Sequence, residues 1–453
     1  MKHQAVLIHL GCAKNLVDSE TILPQLLAAG LEIGSSAAKA HLIVVNTCGF
    51  LESAVEEAIQ TILDVARYKH DGPCDTLMVI GCMVQRYGRK LLPLLPEVDL
   101  FAGTSHYHVL VEILRAHRAG HPRRLWIGPP RHLQTDNHPR MRSTPTHTAY
   151  LKIAEGCSNR CTFCFIPKLR GPYRSRSVSD VAKEATRMAA EGVCEINVIA
   201  QDITAFGTDH GETGELERLL EALEAIPGID WIRLLYAYPG RITTSLLRTM
   251  AHSEKTVPYL DFPIQHCVPH ILNAMHRGTQ QRDMEALIDQ IRIQVPGIAL
   301  RTSIMVGFPG ETDQDFEALL RFVERMQFEH LGVFAYSPEA GTAAARFPRQ
   351  VPDEVKWVRH ERLLDLQRRI SRQRIERLCG SVVPVLVEGY HPETDLLLCG
   401  RMPTQAPEVD GMVLISKGVG RPGAIMPVMI TSTDDYDLIG ELIEAAPGAP
   451  SSA

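Results

Sequence analysis

The sequence predicts a mixed α/β chain in three parts: an N-terminal open parallel α/β sheet domain, a central partial TIM-like (β/α)6 barrel and a C-terminal small all-β barrel. Three observations carry this. Short apolar runs alternate with helix-period stretches through the first two parts, as β-α units building parallel sheets do. The middle part holds six such units, whose right-handed crossovers curl into a partial barrel. From about Gly380 the helical period gives way to β runs broken by Gly, Pro and Asp.

The 453 residues leave room for about three domains at roughly 150 residues each. The expected limits are 3–118, a linker over 119–142, 143–379 and 380–446. With 45% hydrophobic and 22% charged residues the composition is that of an ordinary soluble protein. The opening apolar run is too short for a signal peptide, and no stretch reaches the roughly 18–20 apolar residues that span a bilayer. The expectation is therefore a cytoplasmic protein with no membrane partner. Eleven cysteines are too few for a disulfide scaffold, and a reducing compartment turns attention to metal or catalytic roles for those that cluster. The net charge of −6 is uneven: from Gly380 onward ten acidic residues face three basic ones, −7, which leaves about +1 for the rest.

In the first part, strands are expected over 5–10, 42–46, 76–80 and 99–102, and the first three run into Gly11-Cys12, Thr47-Cys48 and Gly81-Cys82. Ligands of open α/β sheets bind outside the carboxyl ends of the strands. Three thiols at equivalent ends would converge on one point, a three-thiolate site; the competing reading is that small, apolar Cys fills strand-to-helix turns. The Pro-, Arg- and His-rich linker carries one short strand over 125–127, and its histidines, without ligand spacing, read as solvated.

In the second part, strands are expected over 150–154, 195–200, 232–238, 259–265, 299–306 and 331–336, with helices over 178–191, 216–225, 282–294 and 313–326. Directly after the first strand comes Glu155-Gly156-Cys157-Ser158-Asn159-Arg160-Cys161-Thr162-Phe163-Cys164. Three thiolates, Cys157, Cys161 and Cys164, can hold three corners of an iron–sulfur cube and leave the fourth iron open for chemistry. Zinc is the alternative, but a closed structural zinc site needs a fourth ligand. Cys74, Cys194, Cys267, Cys379 and Cys399 lack partner spacing and read as small buried hydrophobes.

The third part is preceded by a helix over 357–378 carrying Arg359, Arg362, Arg368, Arg369, Arg372, Arg374 and Arg377. Such a face either meets RNA phosphates or pairs with local acids such as Glu361, Asp365 and Glu376. Strands follow over 381–388, 396–402, 411–416 and 426–432.

With these clusters in adjoining domains and a small barrel behind them, the chain resembles, over nearly its whole length, the methylthiotransferases of the radical S-adenosylmethionine (radical SAM) enzymes. Leu10-Gly11-Cys12-Ala13-Lys14-Asn15-Leu16-Val17-Asp18-Ser19-Glu20 is similar to the signature of the branch that modifies a ribosomal protein; the tRNA-modifying branch typically has Gln-Met at the positions of Ala13-Lys14. Phe163-Cys164-Phe165-Ile166-Pro167 and Arg170-Gly171-Pro172-Tyr173-Arg174-Ser175-Arg176 resemble both branches, as do Leu260 to His266 and Met275-His276-Arg277-Gly278. Ala406-Pro407-Glu408-Val409-Asp410-Gly411 is similar to the family's terminal TRAM barrel. Ala13 stands where Pro is usual and His276 where a basic residue is commoner; neither is a thiolate.

The resemblance implies S-adenosylmethionine as methyl donor and radical source, and two [4Fe–4S] clusters. Cys157, Cys161 and Cys164 would hold the cluster that cleaves it, and Cys12, Cys48 and Cys82 an auxiliary one that carries the sulfur to be delivered. Gln201 and Asp202 would meet the amino group of the nucleotide, and Gly307 and Glu311 belong to the stretch against which adenine would rest, although Glu311 could instead cap the next helix. No residue is assigned as acid or base. The implied substrate is the β-carbon of an aspartate in small-subunit ribosomal protein S-twelve; the alternative is an N6-modified adenosine in tRNA. An acidic TRAM domain attracts a basic protein and repels phosphates, which disfavours tRNA. Arg174 or Arg176 could pair with the substrate carboxylate, or instead contact S-adenosylmethionine or stiffen the loop. An electron donor and a sulfur source complete the implied partners.

Overall fold

The computed structural model describes residues 3–277 and 284–443. Gly278, the first two residues of the helix expected over 282–294, and Glu444 lie outside the described residues.

The first sheet comprises β1 (Gln4–His9), β2 (Glu32–Ile33), β3 (Leu42–Thr47), β4 (Thr76–Gly81), β5 (Leu100–Gly103) and β6 (Leu125–Trp126), all parallel, in the order β2-β1-β3-β4-β5-β6. The apolar runs of β3 and β4 are buried throughout, as strands covered by helices on both faces must be. The order reverses beside β1, so β1, β3 and β4 are neighbours and their carboxyl ends line one crevice. The strand β6 pairs with β5, so the start of the segment read as a linker is part of this sheet.

The central sheet contains β7 (Thr148–Lys152), β10 (Glu195–Ile199), β11 (Trp231–Leu234), β12 (Thr256–Asp261), β13 (Ala299–Val306) and β14 (His330–Ala335), parallel and ordered β14-β13-β12-β11-β10-β7; between them β8 (Ala154–Glu155) and β9 (Arg174–Ser175) form a small antiparallel pair. With β7 and β14 left as edges, the barrel is open. Two strands stop earlier than the sequence predicts. Tyr236 (φ +69°) and Gln265 (φ +72°) leave the extended region, so β11 and β12 end before them.

Helices cover the outer face, where Leu151, Val198, Leu234, Leu260 and Ile304 form the main core. On the inner face Tyr150, Ile199, Trp231 and Tyr259 pack against Val17 of the first helix (Ala13–Ala28) and against Leu386 and Ala406 of the terminal domain. Both flanking domains thus help to fill the lumen.

The terminal domain is a closed barrel of β15 (Val382–His391), β16 (Thr394–Arg401), β17 (Val413–Lys417), β18 (Ile425–Thr433) and β19 (Leu438–Leu442). The last strand lies beyond the four that the sequence predicts for this domain. A buried ionic set fixes this barrel to the amino ends of the central strands. Arg401 pairs with Glu195, which also pairs with Arg233, and Asp410 accepts from Tyr259 and Arg301. Arginines of the preceding helix, Asp353–Glu376, are paired: Arg359 with Glu311 and Asp313, Arg362 with Glu317, Arg368 with Asp365, Arg372 with Glu376, and Arg374 with Glu329.

Candidate active site

Each of the three turns after β1, β3 and β4 carries one cysteine, and the turns abut. Gly11 adopts a φ of +106° that disfavours a side chain, and a Cβ there would lie 3.0 Å from the Cys48 Cβ. A Cβ on Gly49 would lie 2.6 Å from the Met83 backbone, next to Cys82. Cys12 is the N-cap of the Ala13–Ala28 helix and Cys82 opens the helix Cys82–Tyr87. The structure thereby brings Cys12, Cys48 and Cys82 to one place, close enough for their charges to be felt at each other.

The second set follows β8. Gly156 (φ +82°) lies against the Pro172 and Gly171 carbonyls, and Cys157 N–H donates to Gly171 O at 3.1 Å. The Cys164 N–H donates to Cys161 O at 3.1 Å, and Ile166 N–H reaches the Cys164 sulfur at 3.5 Å. Arg277, from the far side of the barrel, donates to the Cys161 sulfur at 3.6 Å.

All eleven cysteines are free. Burial pushes the Cys82 and Cys164 thiols up to about 12 and raises those of Cys48 and Cys157, so ionising them calls for compensating positive charge. At Cys82 the Arg170 guanidinium supplies part of it. Bonds of about 2.3 Å to one zinc would hold three thiolates closely together. Three soft thiolate donors in each set suit a cube that takes each thiolate at a different corner.

Between the sets lies a buried ionic cluster joining two domains. Asp18 of the first helix pairs with Lys152 and, at 2.5 Å, with Arg170 of the helix Ile166–Arg170. Glu155, two residues before Cys157, takes Lys152 at 3.0 Å, Arg170 at 3.5 Å and the Gln201 amide at 3.0 Å. Burial alone would raise the Glu155 carboxyl; Lys152 and Arg170 reverse that and keep it well below the usual carboxylate range. Asn15 connects further, accepting from Arg170 at 3.3 Å and donating to Leu10 O at 2.7 Å.

The remaining expected residues divide. Gln201 stands at the end of β10 with its Oε1 buried and without a partner among the described residues, an acceptor suited to an ammonium group. Asp202 is engaged by Asn159, Arg241 and Thr204. Gly307 (φ +73°) leaves no room for a Cβ against Lys356, and its N–H donates to Glu311 at 2.8 Å. Glu311 also pairs with Arg359; the following helix is capped by Thr312, not by Glu311. Arg176 is consumed by Asp180, Glu184 and the Lys152 carbonyl, and Arg174 donates to the carbonyls of Pro172, His132 and Arg170, contacts that favour loop stiffening over carboxylate capture. Of the linker histidines His121 is exposed, as expected, whereas His132 and His138 are half-buried: His132 stacks on His108 at 4.3 Å and meets His138 edge-on at 5.0 Å. Sequence reading missed Lys14, Asp18, Lys152 and Arg170 as members of the site. Asp18, Lys152 and Arg170 have no spacing signal, because their relation is purely tertiary.

A partial β/α barrel with a three-cysteine loop after its first strand defines a radical SAM protein, and comparison agrees. Residues 4–103 match the Uncharacterized protein family UPF0004, 151–323 the Radical SAM superfamily and 379–443 the TRAM domain. The chain is 58% identical over 444 residues to the ribosomal protein uS12 methylthiotransferase RimO of Syntrophobacter fumaroxidans, covering 98% of this chain and 99% of that protein. It is 47% identical to the RimO of Geotalea uraniireducens over the same shares. Among solved structures it resembles the radical S-adenosylmethionine methyltransferase TsrM from Kitasatospora setae, with a TM-score of 0.56 and 15% identity over 74% of this chain and 75% of that one, a likeness of fold alone. The chain belongs to the RimO family of ribosomal protein uS12 methylthiotransferases.

Proposed function

We propose that this chain adds a methylthio group to the β-carbon of an aspartate in ribosomal protein uS12. The observation that carries the reading is the pair of three-cysteine sets on adjoining domains, joined through Asp18, Arg170, Lys152 and Glu155 in a chain that matches RimO proteins from end to end. The enzyme is a transferase whose cofactors are S-adenosylmethionine and two [4Fe–4S] clusters, one on Cys157, Cys161 and Cys164 and the auxiliary one on Cys12, Cys48 and Cys82. When bound, these groups supply the methyl group, the hydrogen-abstracting radical and the sulfur.

The protein's own contribution is placement and exclusion of water. The Gln201 Oε1 accepts from the amino group of the nucleotide, while its amide is held by Glu155, so the tripod loop and the binding residue are set by one carboxylate. Gly307 permits close approach of the β13 end, and Glu311 fixes that turn through the Gly307 N–H. Asp202 works indirectly, orienting Asn159 and Arg241 beneath the loop.

The terminal barrel is the surface for the basic ribosomal protein. Part of its acidity is internal, since Glu388 and Asp410 are spent on Arg401 and Arg301. Glu393, Asp395, Glu408 and Asp434 remain exposed for a cationic partner. The tRNA alternative is disfavoured because Arg359, Arg362, Arg368, Arg372 and Arg374 of the Asp353–Glu376 helix are engaged by carboxylates. No helix among the described residues is long and apolar enough to cross a membrane; a ribosomal substrate supports a cytoplasmic location. An electron donor and a sulfur source are external partners. The test is anaerobic reconstitution with iron and sulfide, reaction with uS12 and with tRNA, and mass spectrometry: one methylthio group on the uS12 aspartate is expected, and modification of tRNA alone refutes the reading.

A further inference from the structure

Lys14 lies two residues beyond Cys12, in the first turn of the Ala13–Ala28 helix, and is only 9% exposed. Its ammonium sits 3.1 Å from the centroid of the Tyr236 ring. Tyr236 is held in a left-handed conformation at the end of β11, its carbonyl accepting from Ile203 N–H at 3.1 Å, directly after Gln201 and Asp202. Lys14 therefore stands between the auxiliary cysteine turn and the loop proposed to meet the nucleotide.

The buried cations around it are committed. Lys152 and Arg170 are held by Asp18 and Glu155, Arg176 by Asp180 and Glu184, and Arg277 by Cys161 and the Pro263 carbonyl. Lys14 makes no hydrogen bond and no ion pair among the described residues. Asp261 feels its charge but lies beyond ion-pair distance, its carboxyl turned to Tyr236 N–H at 3.2 Å and to Arg301 at 3.9 Å. A ring face attracts a cation but does not replace the hydrogen bonds of water that an ammonium loses on burial. An ammonium desolvated in this way, with its three donors unused, is a receptor for an anion of matching size.

We propose that Lys14 receives the side-chain carboxylate of the substrate aspartate and so selects aspartate and fixes its β-carbon between the two cysteine sets. The inference rests on the uS12 reading. A carboxylate bonded to a buried ammonium through its two oxygens leaves the adjacent β-carbon facing away from Lys14, which is the arrangement a reaction at that carbon needs. It also explains why a lysine is tolerated in the lumen-facing turn of a helix whose neighbours Ala13, Leu16 and Val17 pack on apolar rings.

The test is a cycle of two changes read by binding. Reconstituted wild type, Lys14→Met and Lys14→Gln are titrated with labelled uS12 carrying either the aspartate or asparagine in its place, and iron and sulfide are counted for each preparation. The expected result is a loss of at least about 30-fold for wild type on Asp→Asn in the substrate, a similar loss for Lys14→Met with the aspartate form, and less than about threefold further loss when both changes are combined. The proposal is overturned if the two losses multiply independently, or if wild type binds both forms of uS12 alike, a comparison that needs no variant to fold. If wild type binds uS12 in neither form, the substrate reading fails and this proposal with it; if it binds and discriminates but Lys14→Met and Lys14→Gln still discriminate equally, only the role of Lys14 fails.

Discussion

Replacing Asp18 by Asn tests whether the two cysteine-bearing domains are held by charge. The side chains of Asp18, Lys152 and Arg170 are each about 4–5% exposed, and among the described residues Asp18 is the one carboxylate that the first domain pairs with the two cations. Breaking a buried pair by removing one partner costs about 3–5 kcal/mol, since the other charge stays buried without compensation. Here the amide retains one acceptor and Glu155 still faces both cations, which points to the lower end, about 3 kcal/mol. A chain of several domains with bound clusters has no single unfolding free energy, so the effect is read locally, as hydrogen exchange of the Ala13–Ala28 helix. About 3 kcal/mol corresponds to a rise of order 100-fold in its opening. The companion variant Asp18→Asn with Lys152→Met removes both charges and should regain all but about 10-fold of that protection, because a site stripped of both partners loses far less than one left half-made. Exchange within about threefold of wild type in the single variant, or no recovery in the double one, would refute the reasoning.

Three further outcomes follow from the same geometry. Changing Cys12, Cys48 and Cys82 together to Ala should lower iron from about eight to about four per chain and abolish methylthio transfer while leaving reductive cleavage of S-adenosylmethionine measurable; full product would remove the auxiliary role. Gly156→Ala places a Cβ 2.2 Å from the Pro172 carbonyl at a φ of +82°, so the Cys157 turn must shift, and the variant should keep the auxiliary cluster while losing the other, seen as halved iron and no cleavage. His132 is pushed down to about 4, chiefly by burial and then by His108 and His138. Its folded value lies below the unfolded one, so its contribution is present above about pH 6.5 and is lost as pH falls toward 4, at no more than about 1.4 kcal/mol per pH unit and less for a partly exposed ring. Protease cleavage of segment 130–138 should therefore accelerate on acidification, and His132→Gln should flatten that dependence.

What the sequence made legible was whatever is written in spacing. The three cysteines of the loop after β7, and the three that end β1, β3 and β4, could be placed because a parallel sheet converts strand ends into neighbours. The order β2-β1-β3-β4-β5-β6 makes those three strands adjacent. The first helix shows the opposite case. Its polar residues Lys14, Asn15, Asp18, Ser19 and Glu20 are buried, although a polar stripe on a helix ordinarily marks the solvent side. Asp18 and Glu20 are buried because Lys152 and Arg170 of the second domain and Arg140 of the linker meet them, and nothing local in these segments encodes that meeting. The same reason hid Glu195 with Arg401, and Asp410 with Arg301.

Those last pairs constrain how a protein substrate can be handled. They fix the acidic barrel at the amino ends of the central strands, where Glu195 opens β10 and His330, bonded to the Thr404 carbonyl, opens β14. The Cys157–Cys164 loop lies past the carboxyl end of β7, in the same parallel sheet. Strands of five to eight residues at about 3.3 Å per residue separate the two ends by roughly 20 Å. A partner gripped by Glu393 or Asp395 cannot present a residue of the gripped surface itself to the chamber; the aspartate must sit on a segment that projects by about that distance. A globular contact alone would leave it short, so in this reading the substrate has to offer an extended loop, with the barrel gripping the body from which the loop departs and Lys14 capturing the carboxylate at its tip.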